Sequence, residues 1–457
     1  MSSLRSDFIK VAGANVLLLL ASTLNNFVLP IILSIGDYAN YKTYILYASF
    51  AGFFHFGYVD GINIKYGGKD STELDTKTFW SEHNFFLLSQ LLISFILLIP
   101  AYITGSLVLA LFAITIIPLN MQSFFLFFTQ AVGQFSIYAK SVIVVPLLMS
   151  VSTCVVFATH ISSNYVPFCI INIICYLVSW FLLEWRVVRV YGYSYKLNFK
   201  KNRLNHIGIV KSGVFIMMGT IVFSFFSTIG RWFIKWNMDD ESFAVYSMAA
   251  SLLGFVLIFV NAVNKVFYPY LCRNNENRES HKLLVNVLLL LATISLPFYF
   301  ILKYFIELFL PNYLVSIELV KILLLTLPSV VIIQSYYINL YKARRLEKLY
   351  LRDGLLYTCF AVIVNLAAVY FFNDLRYIAA AAVICSYFWF FVPNRKIFVF
   401  EKRYLYILYL TSISLIYLLS GYIFNHFILS FIVSLVGIVA VNIIFYKRTI
   451  IKILFRR

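Results

Sequence analysis

Fourteen long apolar segments follow one another along the 457 residues of this chain. They lie near 11–35, 41–65, 82–101, 106–130, 141–160, 165–185, 211–234, 243–268, 283–303, 314–341, 354–372, 376–394, 404–422 and 425–446. Each run is continuous rather than alternating, which reads as helix rather than strand. A bilayer core about 30 Å thick is crossed by about 20 helical residues. Within it, only helices and closed barrels satisfy every backbone group. The pattern predicts an all-α polytopic membrane protein of about fourteen transmembrane helices. One number pulls the other way, a formal net charge of +18 that a nucleic-acid binder would also show. Yet charged residues make up only 12% of the chain and hydrophobic ones 62%, whereas soluble domains carry about 25% charged residues. A soluble domain, a disordered chain and a nucleic-acid partner are excluded on that ground.

The charge has a topological address. With the N-terminus inside, the inner connections hold 31 of the 37 Lys and Arg residues, and the outer ones hold Lys42, Arg231, Lys235, Lys303, Lys321 and Arg376. Counting the 19 acids, twelve inside and seven outside, the inner side carries 31 − 12 = +19 and the outer 6 − 7 = −1. Cytoplasmic loops gather Lys and Arg, so both termini are expected in the cytoplasm of a multi-pass protein of the bacterial inner membrane. The first run, from Val11 behind Arg5 and Lys10, is expected as a retained span rather than a cleaved signal. Loops are short except 186–210 and 269–282. The expected division is a six-helix bundle over 1–190, a basic cytoplasmic linker over 191–210, a second six-helix bundle over 211–400, and two further helices with a basic tail over 401–457.

A displacement of 202 residues superposes the second span on the eighth. Asp37, Tyr44, Ala48-Ser49 and Gly52-Phe53 meet Asp239, Tyr246, Ala250-Ser251 and Gly254-Phe255, six identities in 17 positions. Both spans run outside to inside, so two homologous bundles in parallel repeat are expected. Together with two six-helix bundles and short loops, the motif Asp37-Tyr38-x-x-Tyr41-x-x-Tyr44 and the run Phe56-Gly57-Tyr58-Val59-Asp60-Gly61…Lys65-Tyr66-Gly67-Gly68 resemble the polysaccharide exporters of the multidrug/oligosaccharidyl-lipid/polysaccharide superfamily. Within it they are most like the O-antigen flippases of the Wzx type. The resemblance covers the whole chain in architecture and about 35 residues in motif. It implies transfer of an undecaprenyl-diphosphate-linked oligosaccharide from the cytoplasmic to the periplasmic leaflet. The chain departs from the family at the seventh span, where Gly230 stands before Arg231 in place of an acidic residue.

Ionisable groups inside spans are costly and mark functional candidates. Lys65, near the inner end of the second helix, Lys265 on the eighth and Arg231 on the seventh are the expected diphosphate-binding residues. Arg grips phosphate oxygens bidentately and Lys acts as a point charge. Asp60, His55, Asn25, Asn26, Asn261 and Asn264 are the expected polar cavity or coupling residues, with His55 and Asp60 the mid-depth titratable groups. Each has a plainer alternative: Lys65 and Arg231 as snorkelling side chains, the asparagines as interhelical contacts, His55 as a packed neutral ring, Asp60 as the neutraliser of a neighbouring cation. Pro30, Pro146, Pro297 and Pro328 fall in or near span interiors, where proline kinks a helix. The six cysteines show no paired or metal-ligand spacing, so no metal, cofactor or disulfide framework is expected.

The expected activity is therefore alternating access without catalytic residues. Its partners are the lipid-linked oligosaccharide, the bilayer and polysaccharide-assembly proteins. A cation-coupled multidrug exporter of the same superfamily is the first alternative, weakened by the absence of an acid between Val11 and Ile35. A polysaccharide polymerase or glycosyltransferase is the second, weakened by outer loops of only about ten residues.

Overall fold

A computed structural model describes residues 25–67, 75–159, 163–193, 199–273, 277–344, 346–393, 403–423 and 426–454. Among these there is helix in every one of the fourteen expected segments and no strand. Nine described helices are long and apolar enough to cross a membrane, or ten if one bent pair is a single span. The fold is that of an all-α polytopic membrane protein. It comprises two compact units, Met1–Phe225 and Phe226–Arg457.

The first unit is arranged around α5 (Leu107–Ala131), which packs against α2 (Ile35–Ala48), α3 (Tyr58–Tyr66), α4 (Thr76–Thr104) and α8 (Tyr165–Tyr191). The helix over 25–32 is α1; α6 (Phe135–Val142) and α7 (Val144–Thr159) complete the set before α9 (Phe199–Asn237). Aromatic rings fill its core: Phe79 stands 4.2 Å from Phe128 and Tyr58 stacks on Phe86 at 5.2 Å, centroid to centroid. Such pairs add to their burial about 0.5–1.5 kcal/mol each.

The second span is not the continuous helix expected over 41–65. It breaks after α2 into a 3-10 turn, Ala51–His55, and resumes as α3. The reason is local: Phe56 at φ 49° and Gly57 at φ 78° are left-handed, which ends one helix before the next begins. The break frees backbone acceptors, and polar side chains from neighbours meet them. Asn120 Nδ2 of α5 donates to Ala51 O at 3.2 Å, and Gln90 Nε2 of α4 donates to Phe54 O at 3.3 Å. Irregular backbone survives in a bilayer only where protein or water satisfies it.

Helix α4 begins at Thr76, six residues earlier than the expected span, because Asp75 caps it. The Asp75 carboxylate accepts from Lys77 N at 3.1 Å and from Thr78 Oγ1 at 2.5 Å. Two turns later Glu82, His83 and Asn84 are thereby carried into the interior. The stretch 199–210, expected as linker, forms the first turns of the 39-residue helix α9, and the division between units falls inside that helix.

The second unit contains α10 (Asp240–Arg273), α11 (Arg278–Ile294), α12 (Phe298–Phe309), α13 (Ser316–Leu324), α14 (Leu327–Ile332), α15 (Ile338–Ala343), α16 (Glu347–Phe371), α17 (Leu375–Phe391), α18 (Arg403–Ile423) and α19 (Phe427–Leu454). Two of the four singled-out prolines sit at its breaks: Pro297 caps α12, and Pro328 begins α14 where the chain bends by 48°. A π-helical turn, Ile333–Tyr337, joins α14 to α15. Buried polar pairs in this unit include Thr293 with Tyr409 at 3.0 Å and His281 with Tyr336 at 2.9 Å.

Candidate functional site

Lys65 lies in the last turn of α3, within a cluster of polar side chains from three helices. Its ammonium forms an ion pair with Glu82 of α4 and donates to Asn205 Oδ1 of α9 at 2.9 Å. Glu82 is fully buried, while the Lys65 side chain keeps 25% of its surface. The carboxylate accepts two further bonds, from Asn205 Nδ2 to Oε1 at 2.5 Å and from Tyr66 hydroxyl to Oε2 at 2.9 Å. Tyr58, two turns back at the start of α3, shares its hydroxyl with His206 Nδ1 at 2.9 Å, and His206 stacks on Phe85 with centroids 4.0 Å apart. Three helices, α3, α4 and α9, thus meet at one cation and one carboxylate.

Glycine makes that meeting geometrically possible. A Cβ on Gly61 would collide with the carbonyl of Ile209, and one on Gly213 with the carbonyl of Gly57. A Cβ on Gly57 would lie 2.6 Å from Val214 N. Gly57 and Gly61 are four apart on one helix and face Gly213 on the other, the close-approach arrangement that small residues permit between membrane helices. Backbone-to-backbone contact of α3 on α9 is what brings Asn205 and His206 within reach of Lys65 and Tyr58.

The other expected residues are distributed elsewhere. Asp60 lies half-buried in the first turn of α3, where the helix dipole favours a carboxylate. His55 closes the break before α3, its Nδ1 accepting from Gly57 N at 3.2 Å. Asn26 Oδ1 accepts from Lys42 Nζ at 3.4 Å, and Lys42 is itself buried. Asn25 Nδ2 donates to Ser150 Oγ of α7 at 3.4 Å, while its buried Oδ1 has no hydrogen-bond partner. In the second unit Arg231 is half-buried on α9 and close enough to Tyr246 to act on it electrostatically. Its neighbour Gly230 has a steric cause: a Cβ there would lie 2.6 Å from the Tyr246 hydroxyl. Lys235 pairs with Asp240 at 2.6 Å. The side chains of Asn261, Asn264 and Lys265 of α10 are outside what the structure describes.

Sequence reasoning passed over Glu82, Tyr66, Asn205 and His206. Glu82 stood at the edge of its expected span, and Asn205 and His206 stood in the expected linker. The signal for Glu82 was present. Asp75-Thr76-Lys77-Thr78 is a helix start, and counting seven residues from that cap puts Glu82 inside. A separate buried pairing extends the polar interior of α4, with His83 Nδ1 on Asn84 Oδ1 at 3.0 Å and His83 Nε2 3.9 Å from Glu184 of α8. No group of three or more metal-ligating side chains is found among the described residues.

Residues 68–317, more than half of the chain, match the family described as "Polysaccharide biosynthesis protein". The chain belongs to that family. Its fold is also that of several solved structures. The lipid II flippase MurJ in an inward closed conformation superposes with TM-score 0.74 at 14% identity, over 97% of this chain and 99% of that one. A mutant of the Vibrio cholerae MATE transporter VcmN gives 0.58 at 14% identity, over 84% and 95%. An inward-facing multidrug resistance MATE family transporter of the MOP superfamily gives 0.56 at 13%, over 83% and 96%. No curated protein matches the chain in sequence. The superfamily expected from the motifs is thus the one whose fold the chain has, and the family is one of polysaccharide biosynthesis.

Proposed function

We propose that this chain is a flippase. It carries an undecaprenyl-diphosphate-linked oligosaccharide, an O-antigen or capsule repeat unit, across the bacterial inner membrane by alternating access. The observation that carries the reading is the family match to polysaccharide biosynthesis on a fold that runs the full length of a lipid-linked-precursor flippase. Lys65 adds chemistry to it. A part-exposed ammonium near the end of a span suits a diphosphate, whose charge cannot enter hydrocarbon alone. Arg231 and Lys265 are the other proposed phosphate-binding cations, and Asn25, Asn26, Asn261 and Asn264 the proposed polar lining. The transporter has cytoplasmic termini, a basic cytoplasmic stretch over 191–210 between its two six-helix bundles, and polysaccharide-assembly proteins as partners. It moves its substrate without chemical change.

Complementation tests the reading. In a strain lacking its own flippase the chain restores surface polysaccharide. A Lys65→Ala/Lys265→Ala variant, present at an equal level in the membrane, reduces it at least tenfold. Full activity of the double variant removes these cations from the site. The MATE transporters of like fold favour a second reading, a multidrug exporter. A chain that restores no polysaccharide but lowers drug accumulation in the same cells selects that reading. Among the described residues of α1 there is no carboxylate to couple such export, only Asn25 and Asn26 among its polar groups.

A further inference from the structure

The second unit has a cavity of its own, of about 930 Å³, where the start of α10, the start of α13 and the turn from α16 into α17 meet. That volume is within the range of about 300–1,000 Å³ found for ligand sites. On the orientation expected from the Lys and Arg distribution, this end of the unit is the outer one. The walls combine hydrogen-bond donors and acceptors with apolar side chains such as Leu314 and Val315. Two of the lining carboxylates are already in use. Asp239 accepts from Ser242 N at 2.7 Å in the first turn of α10, and Asp374 caps α17 and holds Arg376 at 2.7 Å. Glu318 and the remaining edge of Arg376 are left over. Glu318 Oε2 and Arg376 Nη1 stand 3.8 Å apart, too far for a hydrogen bond, and the two side chains are 68% and 59% exposed. We propose that this cavity binds the sugar part of the cargo, with a hydroxyl that accepts from Arg376 and donates to Glu318. This rests on the flippase reading and names a place in the second unit where the oligosaccharide is held.

A sugar hydroxyl both donates and accepts, so it fits between a carboxylate, which only accepts, and a guanidinium, which only donates. Set between Glu318 and Arg376, it makes two charge-assisted hydrogen bonds and leaves the pair of Arg376 with Asp374 intact. A diphosphate has no such fit, because Asp239, Glu318 and Asp374 outnumber Arg376 in the lining. An aromatic surface stands beside the polar one. Phe372 and Tyr377, on either side of the Asn373–Arg376 segment, stack with centroids 4.0 Å apart and remain exposed. The face of an aromatic ring is electron-rich and meets the C–H side of a sugar ring. The corresponding corner of the first unit is built differently. Asp37, the counterpart of Asp239 in the repeat read from the sequence, accepts from Tyr165 N at the start of α8 at 3.3 Å. It thereby bridges the second and sixth spans. Asp239 bonds within α10 and Asp374 within its own turn, and the cavity opens between them. A corner bridged in one repeat and open in the other is where a ligand contact has room to arise.

Saturation-transfer NMR of the full chain in nanodiscs tests it. The probe is repeat-unit oligosaccharide cleaved from the surface polysaccharide of the source organism and freed of lipid and phosphate. The wild type is expected to transfer saturation to the sugar ring protons, and inorganic pyrophosphate is expected not to displace the sugar. Glu318→Ala is expected to weaken binding about tenfold, the loss of one charged hydrogen bond. Val315→Trp, which fills the cavity from an exposed position, is expected to abolish it. The wild-type measurement requires no variant to fold, and absence of transfer there overturns the proposal. So does displacement by pyrophosphate, or wild-type affinity in either variant. Failure of the flippase reading looks different: the chain restores no polysaccharide in the complementation assay while the free sugar still binds. Polysaccharide restored by a chain that does not bind the sugar refutes the cavity alone.

Discussion

Lys65 and Glu82 differ in how far each is taken from water, and that difference governs what substitution does. Removing Lys65 alone leaves a buried carboxylate uncompensated, which costs about 3–5 kcal/mol, whereas replacing both partners by apolar residues of similar volume is close to neutral. Thermal unfolding in detergent is expected to show Lys65→Met strongly destabilised and Lys65→Met/Glu82→Met nearly restored. Additive losses in that cycle would mean the pair is not coupled. Other residues divide in the same way between charge and shape. At Gly230, where the resemblance leads one to expect an acid, a Cβ would lie 2.6 Å from the Tyr246 hydroxyl, so a side chain there requires Tyr246 to shift. His55, expected as a mid-depth titratable group, accepts a backbone N–H at the break before α3.

Between elements, the contact that matters is α3 on α9. Gly57, Gly61 and Gly213 let two backbones touch, and a larger residue at any of them must push the helices apart. Gly213→Leu is expected to cost about 1–3 kcal/mol through overpacking and to separate Asn205 from Lys65 and Glu82. Unfolding temperature reads the first effect, and loss of a disulfide engineered between the two helices on the Gly213→Leu background reads the second. An unchanged crosslinking yield would show that the glycines do not set the approach. The broken second span has the same logic: Asn120 and Gln90 from neighbouring helices serve the carbonyls that the break at Ala51–Gly57 releases. The turn chemistry of Phe56-Gly57 is visible in sequence, but an apolar run on both sides hid it. Hydrophobicity marks which residues avoid water and not whether the helix through them is continuous.

At the scale of the whole molecule, the distribution of Lys and Arg makes one directional prediction. Reporter fusions at both ends are expected to place both termini in the cytoplasm. A periplasmic C-terminus would mean an odd number of spans and would invert the charge bias beyond the extra or missing helix. On the expected orientation the +18 divides into +19 on the inner connections and −1 on the outer ones.

Length and continuity of the apolar runs were enough to determine an all-helical membrane protein, because a bilayer leaves the backbone no other solution at those lengths. The motif around Phe56–Gly68 pointed to a superfamily whose fold the chain has. Lys65 stood out as a candidate, since a cation at the end of an apolar run is conspicuous. Its meaning was not. Glu82 looked like the edge of one span and Asn205 like part of a linker, and they are 123 residues apart in the chain. Only the cap at Asp75, which sets where α4 begins, and the glycine contact, which sets how near α9 comes, put them on the same ammonium. Pairing of buried charges depends on distances of a few ångströms between helices, and those are fixed by packing rather than by hydropathy.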